Sequence, residues 1–203
     1  MKTDNPTLLV LRFSAMGDVA MVASVLREFA DQHYGVRIIM VSRAAFGPFF
    51  DDIPNLIFHP ADLNDRHRGI GGLYRLFREL VAYRPDAVAD LHFSLRSRFL
   101  SILFRTEGIV LRYIEKGNRE KKALTRPHNK VLKPLKPTVE RYADVFRRLG
   151  FPLTLTHTLN PTRRPLPETA KRLFANDHVC KIGIAPFAQH AAKVYPADRM
   201  EQV

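Results

Sequence analysis

The chain has 203 residues, of which 46% are hydrophobic and 26% are charged, so it can form a globular core and is not a disordered segment. Its formal net charge of +12 favours an anionic partner, such as a nucleic acid, a nucleotide sugar, a phosphorylated lipid or an acidic membrane surface. A single cysteine favours a reducing compartment, and no apolar stretch approaches the ~20 residues that cross a bilayer, so we expect a cytoplasmic protein without a transmembrane segment.

Strand-like and helix-like patterns alternate along most of the chain. The predicted strands are residues 8–11, 36–41, 55–58, 87–91 and 109–114. Apolar residues at helical spacing predict helices that include residues 22–29, 71–81, 99–103, 139–146 and 170–174. Such alternation predicts an α/β fold with a Rossmann-like parallel sheet that carries helices on both faces.

Two segments interrupt this alternation. Residues 116–136 carry eight Lys or Arg side chains and a single acidic residue, Glu120. This basic segment is either a solvated, mobile loop or an electropositive lid over an anionic substrate. Residues 154–167 contain three prolines and predict a linker, so we expect one domain at residues 1–153 and the start of a second, incomplete domain at residues 168–203.

The turn after the first predicted strand is the first candidate site. It reads RFSAMGD, with Arg12 at its start, the small residues Ser14 and Gly17 within it, and Asp18 where a helix begins. Ligands of open α/β sheets bind at such turns, outside the carboxyl ends of the strands. The glycine pattern GxGxxG is absent, which excludes a dinucleotide-binding loop. Taken alone, Asp18 is explained more simply as the N-cap of the helix.

A second strand–loop–helix pattern near the end of the chain contains Lys193. The stretches RFSAMGDVAM at residues 12–21 and IAPFAQHAAKVYP at residues 184–196 resemble two motifs of glycosyltransferase family 9, the ADP-heptose:lipopolysaccharide heptosyltransferases. The layout of the chain is similar to that of the family over nearly its whole length, but the similarity is specific only in these two motifs. Within the second motif the chain departs from the family pattern at Phe187 and Val194.

The resemblance implies a two-domain glycosyltransferase B fold, of which the chain holds the N-terminal acceptor-binding half and the first unit of the donor half. It implies inverting transfer of a heptose-type sugar from a nucleotide diphosphate to an anionic lipopolysaccharide core, with no metal and no cofactor. Asp18 matches the family's general base, and Lys193 matches the lysine that stabilises the departing diphosphate. Because most of the donor half is absent from these 203 residues, we expect no transfer by them alone.

Several further residues are candidate contacts for the anionic acceptor, which would be reached at the inner face of the membrane. They are Ser14, Gly17, Arg96, Arg98, Lys121, Lys122 and Arg126. His92 follows the fourth predicted strand and is explained more simply as a structural histidine. The alternative is a basic nucleic-acid-binding α/β module, favoured by the charge. However, the basic segment lacks Phe, Tyr and Trp for base stacking, so we expect no specific nucleic acid partner.

Overall fold

The computed structural model describes residues 5–158, 165–174, 180, 188, 193–200 and 202. The chain divides into two compact units, Met1–Asn160 and Pro161–Val203. No helix in the described ranges is both long enough and apolar enough to cross a membrane.

A five-stranded parallel sheet in the order β3-β2-β1-β4-β5 forms the centre of the first unit. Its strands are β1 (Thr7–Leu11), β2 (Arg37–Ser42), β3 (Leu56–Pro60), β4 (Ala87–Asp90) and β5 (Val110–Tyr113). The central strand β1 is buried along its whole length. In the register of the sheet, Leu8 of β1 lies opposite Ile38 of β2 and Ala87 of β4. The order of the strands therefore reverses between β1 and β4, which are neighbours in space but not in sequence.

Helices cover both faces of the sheet. The helices of this unit are α1 (Met16–Gln32), α2 (Gly69–Val81), α3 (Leu95–Thr106), α4 (Asn118–Thr125) and α5 (Thr138–Arg148), with a 3₁₀ helix at Ala44–Phe49. Because successive side chains of a strand point to opposite faces, β1 contributes to two cores. Leu8 and Val10 pack with α1 and α5, whereas Leu9 and Leu11 pack with α2 and α3. The predicted Rossmann-like α/β fold class is thus confirmed.

The basic segment is where the structure departs most from the expected loop. It contains α4, which has no buried residue and so leaves no apolar periodicity in the sequence. The helix is attached to the unit by an ion pair of 2.7 Å between Glu120 and Arg141 of α5. Residues 118–125 are therefore helical rather than a loop, although α4 lacks the buried apolar face that usually marks a helix in a sequence. Whether the basic segment acts as a lid over an anionic substrate stays a prediction.

The first unit also continues past residue 153, where the predicted linker begins. Leu155 is buried in the core that includes α1. Gln32 of α1 accepts a hydrogen bond from the Thr154 backbone N–H at 3.1 Å and donates one to its carbonyl at 2.8 Å. Glu28 accepts from the Thr156 backbone N–H at 2.5 Å. These contacts hold residues 154–156 against α1, so this part of the expected linker is packed rather than free.

The second unit is described only in part. It contains α6 (Glu168–Phe174) and α7 (Ala197–Met200), of which α6 agrees with the predicted helix at residues 170–174. The predicted strand at residues 181–185 lies outside the described residues, as does most of the second motif up to residue 192. Lys193 is described and is exposed to solvent.

Candidate functional site

The loops that follow β1 and β4 meet at the carboxyl edge of the sheet. Because the strand order reverses between these two parallel neighbours, this edge is the topological switch point at which open α/β sheets bind ligands. The two loops contact each other through Phe13 and His92, whose rings lie edge to face with centroids 5.6 Å apart. The two candidate residues Ser14 and Gly17 lie in the first loop and in the first turn of α1 that follows it.

Asp18 lies in the first turn of α1, but it is not the cap of that helix. The N-cap is Ala15, and no side chain caps the helix there. The simpler interpretation of Asp18 as an N-cap is therefore wrong. Its carboxylate instead forms an ion pair with Arg12, whose side chain is 9% exposed whereas that of Asp18 is 36% exposed. The carboxylate is thus held by a buried cation, stabilised by the helix N-terminus and still open to solvent.

Arg12 connects the two loops. Its Nη1 donates a hydrogen bond of 2.7 Å to the carbonyl of Leu91, which directly follows β4, and its Nη2 donates to Asp18. Its guanidinium lies 5.9 Å from the ring centroid of Tyr142 in α5. The Nε of Arg12 and the hydroxyl of Tyr142 are buried without a hydrogen-bond partner. The sequence indicates only that Arg12 flanks the loop, and nothing in it brings Tyr142 to this site.

His92 is surrounded by charged side chains. Burial, followed by the positive charges of Arg12 and Lys116, lowers the pKa of His92 to about 4. Asp18 and Arg96 are the other charged residues that act on the ring. The imidazole is therefore neutral near pH 7, where it can exchange hydrogen bonds with a ligand but carries no charge of its own.

Asp90, the last residue of β4, holds the second loop in place. It is fully buried, and its Oδ1 accepts hydrogen bonds from the backbone N–H groups of His92 at 3.0 Å and Phe93 at 2.8 Å. Its Oδ2 accepts a hydrogen bond of 3.3 Å from the hydroxyl of Ser101. Burial raises the pKa of Asp90, and these hydrogen bonds act against that rise. Because Asp90 is enclosed in this way, its role is to shape the loop rather than to bind a ligand.

The helix after this loop carries the next two candidates. It begins with a capping box, in which Ser94 and Ser97 accept hydrogen bonds from each other's backbone N–H groups. Arg96 and Arg98 follow, and both are exposed. Residues that are two positions apart in an α-helix point about 200° away from each other around the helix axis. The two arginines therefore lie on opposite flanks of α3. Arg98 lies over the ring of Phe93, 5.3 Å from its centroid, whereas Arg96 is among the charges acting on the histidine of the loop.

The basic segment contributes to this site mainly through a residue that the sequence did not single out. Lys116 donates a hydrogen bond of 3.2 Å from Nζ to the carbonyl of Phe93. Its position shortly after β5, the neighbour of β4, is the signal that could have indicated it. The predicted candidates Lys121, Lys122 and Arg126 are exposed. Within the described residues no contact joins these three to Asp18.

The remaining candidates are accessible but make few contacts. Gly17 is exposed, and a Cβ added to it would meet no heavy atom within 4 Å, so packing does not require a glycine there. Ser14 is half-buried. Lys193 belongs to the second unit, and its position relative to Asp18 stays a prediction. In the described part of the chain, no group of three or more His, Cys, Asp or Glu side chains could hold a metal ion.

A separate cavity of about 790 Å³ lies at the sheet edge between β3 and α2. Glu79 of α2 is central to its lining, with its Oε2 at 3.2 Å from the Nε2 atoms of both His59 and His67. Arg66 pairs with the same carboxylate through Oε1 at 2.5 Å. Burial lowers the pKa of His59. This cluster attaches α2 to the edge strand, away from the loops after β1 and β4.

Comparison with known proteins shows the fold. No family model and no curated protein matches the chain. A solved glycosyltransferase family 9 structure from Veillonella parvula matches with a TM-score of 0.69 and 20% identity, over 100% of this chain and 60% of that one. The E. coli heptosyltransferase WaaC with ADP matches with a TM-score of 0.52 and 16% identity, over 74% of this chain and 49% of that one. The resemblance to family 9 is thus confirmed as a likeness of fold, and this chain spans 60% of the length of the Veillonella structure.

Proposed function

We propose that the chain is the acceptor-binding part, with the start of the donor-binding part, of an inverting glycosyltransferase. The observation that carries this proposal is the Asp18 carboxylate, which lies at the topological switch point, is held by Arg12 and is 36% exposed. The fold shared with a glycosyltransferase family 9 structure supports the same conclusion. An exposed carboxylate fixed by a buried partner is suited to repeated proton transfer, because its position does not depend on the substrate.

In the proposed reaction, Asp18 acts as general base. Its carboxylate removes the proton of an acceptor hydroxyl while that oxygen attacks the anomeric carbon of the donor sugar. The bond from this carbon to the diphosphate breaks on the opposite side, so the configuration inverts and the nucleotide diphosphate leaves with the electron pair. Lys193 would stabilise the charge that develops on the leaving diphosphate, without a metal ion or a cofactor.

Arg12 has a positioning role in this proposal. Its ion pair with Asp18 uses Oδ2, which leaves Oδ1 for the acceptor hydroxyl. The hydrogen bond from Arg12 to Leu91 keeps the guanidinium in place when the substrate enters. The neutral imidazole of His92 lies near the same charges and could orient a second hydroxyl of the acceptor.

We propose an ADP-heptose-type donor and, as acceptor, an anionic, lipid-linked saccharide of the lipopolysaccharide core. The positive charges of Arg96 and Lys116 beside His92 support an anionic acceptor. The solved WaaC structure contains ADP, and this supports our proposal of an ADP-linked donor for the present chain. The protein would be cytoplasmic and would meet the acceptor at the inner face of the membrane. The other proposed acceptor contacts are Ser14, Gly17, Arg98, Lys121, Lys122 and Arg126.

The decisive experiment is an assay of sugar transfer by the full-length protein with Asp18→Asn. We expect the variant to fold and to bind the nucleotide sugar, while its turnover falls roughly 10²- to 10⁴-fold, the usual contribution of a general base. The matched control is Asp52→Asn, which removes another carboxylate paired with an arginine, Arg27, away from the site. Near-normal turnover by Asp18→Asn would rule out its role as base.

A separate binding measurement addresses the alternative of a nucleic-acid-binding module. A specific sequence or hairpin that binds far more tightly than bulk DNA at physiological salt would favour that function. Weak binding that salt abolishes would reflect only the net charge of +12.

A further inference from the structure

One flank of α3 presents apolar and basic side chains in alternation. Leu95, Arg98, Ile102 and Arg105 follow one another at intervals of three, four and three residues, the spacing that aligns side chains along one side of a helix. Leu95 is 83% exposed and Ile102 is 60% exposed, and both arginines are exposed. We refer to these four residues as the α3 stripe.

The α3 stripe is exposed although α3 also has a buried face that packs in the core of the unit. The buried residues of α3 are Ser97, Leu100, Ser101 and Phe104. Phe104 packs edge to face on Phe77 of α2, with ring centroids 5.2 Å apart. The helix thus already has a buried side that attaches it to the sheet and to α2. Leu95 and Ile102 are two large apolar residues beyond that requirement, and both stay exposed among the residues that the structure describes.

The α3 stripe also has an uncompensated positive charge. The helix contains no acidic residue, and the first one after it is Glu107. Within the part of the chain that the structure describes, neither Arg98 nor Arg105 forms an ion pair. Arg98 rests on the ring of Phe93, which keeps its guanidinium at the surface. Arg98 lies between Leu95 and Ile102, and Arg105 follows Ile102, so the α3 stripe is complementary to a surface that offers both negative charge and an apolar layer.

We propose that the α3 stripe docks this protein on an anionic lipid bilayer. Leu95 and Ile102 would enter the boundary between headgroups and acyl chains, and the arginines would pair with lipid phosphates, as in helices that lie in the membrane interface. The α3 stripe is about 15 Å long. It is too small for the roughly 800 Å² per partner that stable protein interfaces bury, so its charge and size fit a bilayer better than a second copy of the chain.

The position of the α3 stripe gives the proposal a functional consequence. Leu95 follows directly on the loop that contains His92, at the same edge of the sheet as Asp18. Docking through this flank would bring that edge close to the bilayer surface, where a lipid-linked acceptor presents its saccharide. Only this link between docking and access to the acceptor rests on the proposed function. The docking on a bilayer itself involves no sugar transfer.

The test is sedimentation of the 203-residue chain with lipid vesicles. We expect binding to phosphatidylcholine vesicles that contain about one-third phosphatidylglycerol, and none to pure phosphatidylcholine. Leu95→Ser with Ile102→Ser should weaken the binding about tenfold, and so should Arg98→Gln with Arg105→Gln. Circular dichroism and thermal melting check that each variant is folded.

Matched control variants remove the same kinds of side chain from α2. Ile70→Ser with Tyr74→Ser removes two exposed apolar side chains, and Arg75→Gln with Arg78→Gln removes two exposed charges. We expect these controls to bind within about twofold of the unmodified chain.

Three results would overturn the proposal: no binding to the anionic vesicles, equal losses in the α2 controls, or a dimer in solution that the α3 stripe variants disperse. Because the vesicles contain no saccharide acceptor, a negative result here leaves the role of Asp18 in sugar transfer unaffected. Conversely, loss of the proposed transferase activity would not change the vesicle binding.

Discussion

Arg12 and Asp18 join the end of β1 to the first turn of α1 through an ion pair across the loop between them. The same guanidinium donates a hydrogen bond of 2.7 Å to the carbonyl of Leu91, which follows β4. One buried side chain therefore connects the two strands between which the sheet order reverses. The candidate carboxylate is held in place by the core of the sheet, although the loop that carries it is at the surface.

This connection predicts a large loss of stability on replacing Arg12. Arg12→Gln should lower the free energy of unfolding by roughly 2–3 kcal/mol, because the Leu91 carbonyl and the Asp18 carboxylate both lose a charged donor. Arg12→Lys should recover only part of the lost free energy of unfolding. One ammonium group cannot donate to the Leu91 carbonyl and the Asp18 carboxylate in the geometry of the guanidinium. Urea unfolding monitored by circular dichroism measures both effects.

The control for Arg12 is Arg27→Gln, which breaks the ion pair of 2.8 Å with Asp52. The side chain of Arg27 is 35% exposed, so we expect a smaller loss of about 1 kcal/mol. An equal loss in the two variants would mean that the connection made by Arg12 between the loops adds nothing to stability.

Gly17→Ala separates packing from ligand binding in the loop. A Cβ at this position would meet no heavy atom within 4 Å, and alanine is the better helix former in the first turn of α1. The melting temperature should therefore stay the same or rise. We expect kcat/KM for sugar transfer by the full-length protein to fall roughly tenfold if the acceptor approaches the backbone here, as ligands often do at glycines. Normal kcat/KM would remove Gly17 from the acceptor site.

The pKa of His92 predicts a loss of stability in mild acid. The ordinary value of 6.5 applies to the unfolded chain, whereas burial lowers the pKa to about 4 in the folded chain. As the pH falls from about 6.5 to about 4, the unfolded chain takes up a proton that the folded chain does not. Stability at neutral pH is therefore lost across this window, by roughly 3 kcal/mol in all.

His92→Gln isolates this contribution. Urea unfolding of both proteins at several pH values between about 7 and 4 gives the difference in their free energies of unfolding. The advantage of the unmodified chain should decline as the pH falls, because the variant has no imidazole to protonate. His59 contributes equally to both proteins and cancels from the difference. A difference that does not change with pH would contradict the lowered pKa.

Two adjacent glycines at the start of α2 should respond in opposite ways to alanine. A Cβ on Gly72 would lie 2.4 Å from the backbone carbonyl carbon of His67, whereas a Cβ on Gly71 would meet no heavy atom within 4 Å. Gly72→Ala should therefore destabilise the protein by roughly 2 kcal/mol or more, since the backbone must move. Gly71→Ala should stabilise it by about 0.5–1 kcal/mol. Thermal melting of the pair tests this, and similar melting temperatures would show that α2 does not approach His67 so closely.

Much of the fold could be predicted from periodicity. The continuous apolar run of β1 indicates a strand that is buried on both faces. The apolar residues at helical spacing in α1 indicate a helix that is buried on one face. The exposed helix α4 could not be predicted in this way. It buries no residue, and the ion pair between Glu120 and Arg141 joins it to α5.

The sequence by itself determined the alternating α/β order, the turn that carries Asp18 and the excess of positive charge, because these depend on residues close together in the chain. Only the tertiary structure decided that Arg12 binds both Asp18 and the carbonyl of Leu91, and that Lys116 and Tyr142 contribute to the same site. The contacts of Arg12 exist because β1 pairs with β2 on one side and with β4, not β3, on the other. Strand pairing of this kind is decided by the packing of the whole sheet, which no local pattern encodes.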